Sequence, residues 1–394
     1  MMVVINGRVI GPRGILEKHC VLIDNGKIKQ IAPQSQVLWS EDAQVIDAQE
    51  NFVGPGFVDM HVHGARGHDA MDGTVESLAR IAKFHAAGGT TAMTPTTTTH
   101  SPEKISAALK AIGDAVGHDF GGAQIVGAHV EGPYISKERN GAQPAQFIRD
   151  ADPAEYMAWF DEEEELVTQV TLAPEAAGAL ELIDALLERE ILPSGGHTAA
   201  TYEQARAAVE RGLCHATHLF NCMSSAVKSG AYRLPGALET FLADERVMVE
   251  LIADGKHVHP ELMRLAVRAK GVDKVCLITD ATAGAGLTEG AEFLVGETKA
   301  VVRDGVGMTA DGLVLAGSTS TMAQMVRNMV ELAGVALTDA VRMASLNPAR
   351  ALGIGGRKGS IETGKDADLV VFTGKYEVVK TVIAGRVEYE AKTE

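Results

Sequence analysis

Between Phe57 and Asp280 the sequence alternates short apolar runs with amphipathic helical stretches, about eight times over. The runs are Phe57–His63, Thr90–Thr97, Gln124–Glu131, Val167–Ala173, Ile191–Gly196, Leu213–His218, Val247–Ala253 and Lys274–Asp280. Between them lie ESLARIAKFHAAG, PEKISAALKAIG, AAGALELIDALLERE and TYEQARAAVERG, whose apolar residues recur at helical spacing. Strand–helix alternation demands a parallel sheet, and about eight units fill a closed (β/α)₈ barrel. A doubly wound open sheet is the alternative, but no Gly-rich phosphate fingerprint follows the first strand. The ends of the chain read differently. VVINGRVI, CVLIDNGKIKQIA and AQVIDAQ are broken by Asn-Gly or similar dipeptides, which mark hairpins. The tail, ADLVVFTGKYEVVKTVIAGRVEYE, alternates apolar and polar residues around Gly-Lys and Ala-Gly turns. The expected fold is therefore α/β, a TIM-like (β/α)₈ barrel over 56–349. Residues 1–55 and 350–394 together form a small β-sandwich domain.

Composition narrows the function. Lys and Arg number 36 against 52 Asp and Glu, for a formal charge of −16. So acidic a surface repels nucleic acid and anionic lipid, so neither is an expected partner. The 4 cysteines, Cys20, Cys214, Cys222 and Cys276, are scattered and suit a reducing cytoplasm. No run nears the roughly 20 apolar residues of a membrane span, and the N-terminus has no signal-peptide pattern. The acidic run Asp161–Glu165 reads as a solvated face.

Chemistry concentrates at strand ends. In FVDMHVHG, His61 and His63 stand two apart and project to one face of a strand. Glu131 closes the third run in GAHVEGP, His197 follows the fifth in SGGHTAA, His218 ends the sixth in HATHLF, and Asp280 ends the eighth in LITDA. Barrel active sites lie at this C-terminal mouth. Imidazoles and carboxylates converging there are costly unless a cation pairs them. His129 and His215 read as hydrogen-bonded core residues. Three long insertions, 132–151, 219–236 and 281–316, follow strand ends at the same face.

These blocks resemble the amidohydrolase superfamily and, within it, the N-acetylglucosamine-6-phosphate deacetylase family. VIDAQENFVGPGFVDMHVHG is similar to the superfamily's entry into the barrel, and NPARALGIGGRKGSIETGKDADLVVF to its exit. HVEGPYIS, VTLAPE, GGHTAAT, ATHLFNCM, ELIADGKHVHP, LITDATAGAG and LAGST occur in the deacetylase order. The fourth run, VTQVTLAPE, has no lysine to be carboxylated as a metal bridge, which argues against a dihydroorotase- or urease-like enzyme. The resemblance implies a metal held by Glu131, His197 and His218, with His61 and His63 supporting a second, and counts Asp280 among the metal residues. Zinc and ferrous iron both suit such ligands. It implies Asp280 as the catalytic acid–base, and Ala142, Gln143, Asn221, Cys222, His257, Leu315, Ala316 and Gly317 as substrate contacts. The backbone amides of Asn221 and Cys222 would hold a phosphate. The expected reaction is release of acetate from N-acetylglucosamine 6-phosphate by a cytoplasmic homodimer. Two departures keep alternatives open. Gln143 stands where the family usually has histidine. The family's Arg-Glu-Pro-Gly segment, whose arginine reaches a neighbouring subunit's phosphate, is replaced by SSAVKSGAYRLPGALE, with Lys228 and Arg233 out of register. Deacetylation of another or unphosphorylated N-acylated amino sugar is the runner-up. A non-catalytic sugar-binding homologue is the third reading.

Overall fold

The structure is a computed structural model that describes residues 1–162 and 165–392. Glu163 and Glu164 of the acidic run lie outside the described residues. Eight parallel strands form the barrel in chain order: Phe57–Val62, Thr90–Thr97, Ala128–Glu131, Val167–Leu172, Leu192–Gly195, His215–Ala216, Met248–Ile252 and Val275–Ile278. They are short and almost wholly buried, as parallel strands covered by helices on one side and packed side chains on the other must be.

The third expected strand is interrupted. Gln124–Ile125 pairs with Thr90–Thr97, and the chain then steps sideways through Gly127 before Ala128–Glu131 resumes. A side chain at Gly127 would meet Thr168 Cγ2 at 2.4 Å and the Leu166 carbonyl at 3.0 Å, so the neighbouring strand enforces glycine here. The last and first strands share no ladder. They meet through a bridge between Val62 and Ala281. The Asp280 N–H donates to the His61 carbonyl at 2.9 Å, and the His63 N–H to the Ala281 carbonyl at 2.8 Å. Behind them the Asp59 carboxylate accepts from the Thr279 hydroxyl at 2.5 Å.

Strands from both termini build one eight-stranded sheet, with Phe52–Pro55 between Met2–Gly11 and Leu369–Phe372. Its core gathers Val4, Val21, Ile23, Ile28, Val53, Leu369, Val371 and Val382. The alternate residues Val370 and Phe372 pack with Phe57 of the barrel core. Asn25-Gly26 makes the expected hairpin turn, with both residues at positive φ. Asn6-Gly7 does not. It is a bulge inside the continuous strand Met2–Gly11, where a Cβ at Gly7 would meet Val53 Cγ2 at 2.5 Å, so only glycine fits.

The insertions acquire structure of their own. Residues 219–236 carry an exposed hairpin, Val227–Ser229 with Tyr232–Leu234. Residues 281–316 supply most of a four-stranded antiparallel sheet, Glu292–Val295 through Leu315–Ser318, folded over the barrel mouth.

Candidate metal centre

At the C-terminal mouth, six side chains converge in two groups, His61, His63 and Asp280, and Glu131, His197 and His218. His61 and His63 leave the first strand on one face, and their Nε2 atoms lie 3.3 Å apart. Asp280 Oδ1 lies 3.3 Å from His63 Nε2 and 3.5 Å from His61 Nε2. His197, His218 and Asp280 all have positive φ (45°, 30° and 46°), so the chain turns sharply as each strand ends and throws the side chain inward. His218 Nε2 comes within 3.0 Å of both His197 Nε2 and Glu131 Oε1. Glu131 joins the groups, with Oε1 3.2 Å from His197 Nε2 and Oε2 3.3 Å from His63 Nε2.

The donor atoms fit a cation. His61 Nδ1 donates to Glu250 Oε2 at 2.9 Å, His63 Nδ1 to the Thr96 carbonyl at 3.1 Å, and His197 Nδ1 to the Arg139 carbonyl at 2.9 Å. An acceptor on Nδ1 places the proton there and leaves Nε2 bare toward the centre. His61 and His63 thus face each other with bare nitrogens 3.3 Å apart, which repel unless something positive lies between them. Burial alone would raise the Glu131 pKa, but positive charge on His61 and His197 outweighs it and holds the carboxyl well below its usual range, a charge that protons supply here and a metal ion would supply in their place. Burial likewise opposes the charge on Asp280, and His61 and His63 again bring its pKa below the ordinary value. The set is thus anionic carboxylates and imidazole nitrogens, the chemistry of zinc and iron sites.

Comparison with known proteins agrees with this geometry. The Amidohydrolase family model matches residues 52–387. The chain belongs to the amidohydrolase family. It is 37% identical over 379 residues to N-acetylgalactosamine-6-phosphate deacetylase of Escherichia coli O157:H7, covering 96% of this chain and 97% of that one. It is 36% identical to N-acetylglucosamine-6-phosphate deacetylase of Bacillus subtilis (strain 168), over 98% and 96% of the two chains. Among solved structures, N-acetylglucosamine-6-phosphate deacetylase from Pasteurella multocida superposes with a TM-score of 0.91 at 33% identity, covering 99% of this chain and 100% of that one. A point mutant of the Mycobacterium smegmatis enzyme, in complex with N-acetyl-D-glucosamine-6-phosphate, superposes at 0.90 with 33% identity, over 98% and 99%.

In this amidohydrolase a cavity of about 270 Å³ opens above the centre. Ala142, Gln143, Asn221, Cys222, His257, Leu315 and Gly317 line it. Ala316 does not; it belongs to the sheet that covers the mouth, and its methyl is fully buried beside Ala283 and Phe293. The alternation of a strand explains this, since Leu315 and Gly317 face one side and Ala316 the other. Gln143 is more constrained than a free donor, accepting from the Thr99 N–H at 2.7 Å and donating to Glu131 Oε2 at 2.5 Å. Its second N–H is left for a ligand. The Asn221 N–H is spent on the His218 carbonyl at 3.1 Å, which leaves the Cys222 amide as the one of that pair able to turn to a phosphate. His257 Nδ1 is held at 2.6 Å by Asp254, whose hydrogen bond outweighs burial and raises the His257 pKa. His129 and His215 are buried; His129 bonds Thr171 at 2.8 Å, and His215 Nε2 lies 3.4 Å from Glu250. Sequence reasoning passed over Glu250, Asp254 and Gln169. Their signal was a charged or amide side chain inside an otherwise apolar strand or at its end.

Proposed function

We propose that this chain is a deacetylase of N-acetylglucosamine 6-phosphate, yielding acetate and glucosamine 6-phosphate. The observation that carries the reading is the meeting of two ligand groups on Glu131 under a cavity with Asp280 at its rim. Glu131, His197 and His218 would hold one divalent cation, zinc or iron, and His61, His63 and Asp280 a second. Such a cation, when bound, acidifies water and polarises a carbonyl. Asp280 accepts the proton of the attacking water and returns it to the amine, which leaves poorly unless protonated. The free N–H of Gln143 donates to the acetyl oxygen, and Leu315 and Gly317 wall the acyl group. His257, oriented by Asp254, contacts the sugar or its phosphate.

One observation favours a second reading, an unphosphorylated or epimeric N-acylated amino sugar. No Lys or Arg lines the cavity among the described residues. A homodimer would help, since a second copy could bring a cation from the hairpin that exposes Lys228, Tyr232 and Arg233. A cytoplasmic setting is supported by four free cysteines. No helix among the described residues is long and apolar enough to cross a membrane. Acetate release measured with N-acetylglucosamine 6-phosphate, its galactosamine epimer and unphosphorylated N-acetylglucosamine decides. The expected order places the first highest in kcat/KM. A preference for the unphosphorylated sugar supports the second reading, and no release from any of them leaves a binding protein.

A further inference from the structure

Beneath the centre, on the side away from the cavity, the strand Met248–Ile252 buries a carboxylate among valine, leucine and isoleucine. Glu250 has no exposed surface. Three donors bind it, and a fourth group faces it. Oε2 takes the His61 Nδ1–H at 2.9 Å and the backbone N–H of His218 at 3.1 Å. Oε1 takes Gln169 Nε2 at 2.7 Å and faces His215 Nε2 at 3.4 Å. We propose that Glu250 is a positioning residue that sets one ligand in each of the two groups through a single oxygen. The inference rests on the reading that those groups hold metal.

Glu250 only accepts, so the proton of His61 must sit on Nδ1, and the Nε2 lone pair must point toward His63 and Asp280. An apolar residue at 250 would let His61 take the other tautomer, with a proton where the metal should bind. The same oxygen pins the backbone of His218, which turns through a φ of 30°, and so fixes how far its ring reaches toward Glu131. A carboxylate stripped of water is costly unless its acceptor positions are filled. Here they are filled by the two ligand residues and Gln169, with His215 beside them, so the carboxylate and the ligand geometry stabilise each other.

Glu250→Gln tests this because the amide keeps the shape but must turn an NH₂ toward one pair of donors. Turned toward His61, it forces the His61 proton onto Nε2 and removes that ligand. Wild type and variant are loaded with cobalt(II), dialysed against metal-free buffer, and followed by metal content and visible absorption. Wild type should retain two cobalt ions. The variant should bind the ion of the His61, His63 and Asp280 group about tenfold or more weakly, with a changed absorption band. In a His61→Asn background the same change should cost that ion no further affinity. Two ions held within twofold of wild-type affinity by Glu250→Gln and also by Glu250→Met, which offers His61 no acceptor, would overturn the proposal and leave the metal centre standing. A wild-type protein that binds no cobalt would instead remove the centre itself. If Glu250→Gln loses its circular dichroism spectrum, Glu250→Asp serves; it keeps the charge one methylene farther away, and unchanged affinity in it also overturns the proposal.

Discussion

Asp280 ends the last barrel strand with its carboxylate against His61 and His63 and its edge in the cavity. Because those imidazoles hold its pKa below the ordinary range, it is a base at neutral pH. That form is lost only as pH falls through the lowered value. Asp280→Asn keeps an oxygen for ligation but cannot take a proton. Acetate release should fall by about 10²–10⁴-fold, while cobalt stays bound in the Glu131, His197 and His218 group. Near-normal single-turnover release by metal-loaded variant would leave the acid–base step without an agent. The side chains that end strands were legible in the sequence because a polar residue closing an apolar run has one place to go in a barrel. Glu250 and Gln169 were not. Each sits mid-strand, where the residue pattern says only that it is buried, and their partners come from strands 81 residues apart in the chain. Gln143 was legible as a departure. Its bond to Glu131 was not, because nothing in RNGAQPAQF fixes how that loop folds back.

The sheet laid over the mouth is the element that spacing alone left blank. Residues 281–316 were evident as an insertion, but strands of only four to six residues, with apolar side chains such as Leu294 on the exposed face, hide in residue type the alternation their burial shows. The fold gives them a purpose, since they bring Leu313, Val314 and Leu315 to the cavity wall. Leu313 is 82% exposed, an apolar side chain with nothing upon it until a ligand arrives. Covering it would contribute about 1 kcal/mol at the usual value per area. Leu313→Ser should therefore raise KM several-fold and leave kcat unchanged, since the contact is made equally in ground and transition states. A fall in kcat with steady KM would place Leu313 nearer the reacting atoms than the structure has it. Asn6-Gly7 and Asn25-Gly26 show the limit of dipeptide reading. The same pair of residues makes a bulge where Val53 presses on the strand and a hairpin where the chain is free to reverse.

Across the whole molecule, barrel and terminal sheet are tied by a buried cation. Lys358, 1% exposed, reaches Asp368 at 2.5 Å and Asp366 at 3.1 Å, and donates to Gln124 Oε1 at 2.6 Å. Gln124 belongs to the strand beside the barrel, and Asp368 directly precedes a strand of the sheet. Lys358→Met leaves the buried Asp368 without its cation, while Asp366 keeps Lys27 at 2.6 Å, and should cost about 3–5 kcal/mol, read as a lower urea midpoint at unchanged KM. An unshifted midpoint would mean that the apolar contacts of Val370 and Phe372 carry the junction alone. The −16 charge shaped only the choice of partners and says nothing of this internal pairing. The seam between first and last strands has a consequence in time. Asp59 and Thr279, which brace it, are 220 residues apart, and the amides that close it belong to His63 and Asp280. As the chain is synthesised, His61 and His63 emerge early but meet Asp280 only once nearly the whole barrel has emerged, so no early fragment brings the two candidate groups together. A cation held by these groups would be taken up only in the last step of assembly and would act as the latch on a ring that has just closed.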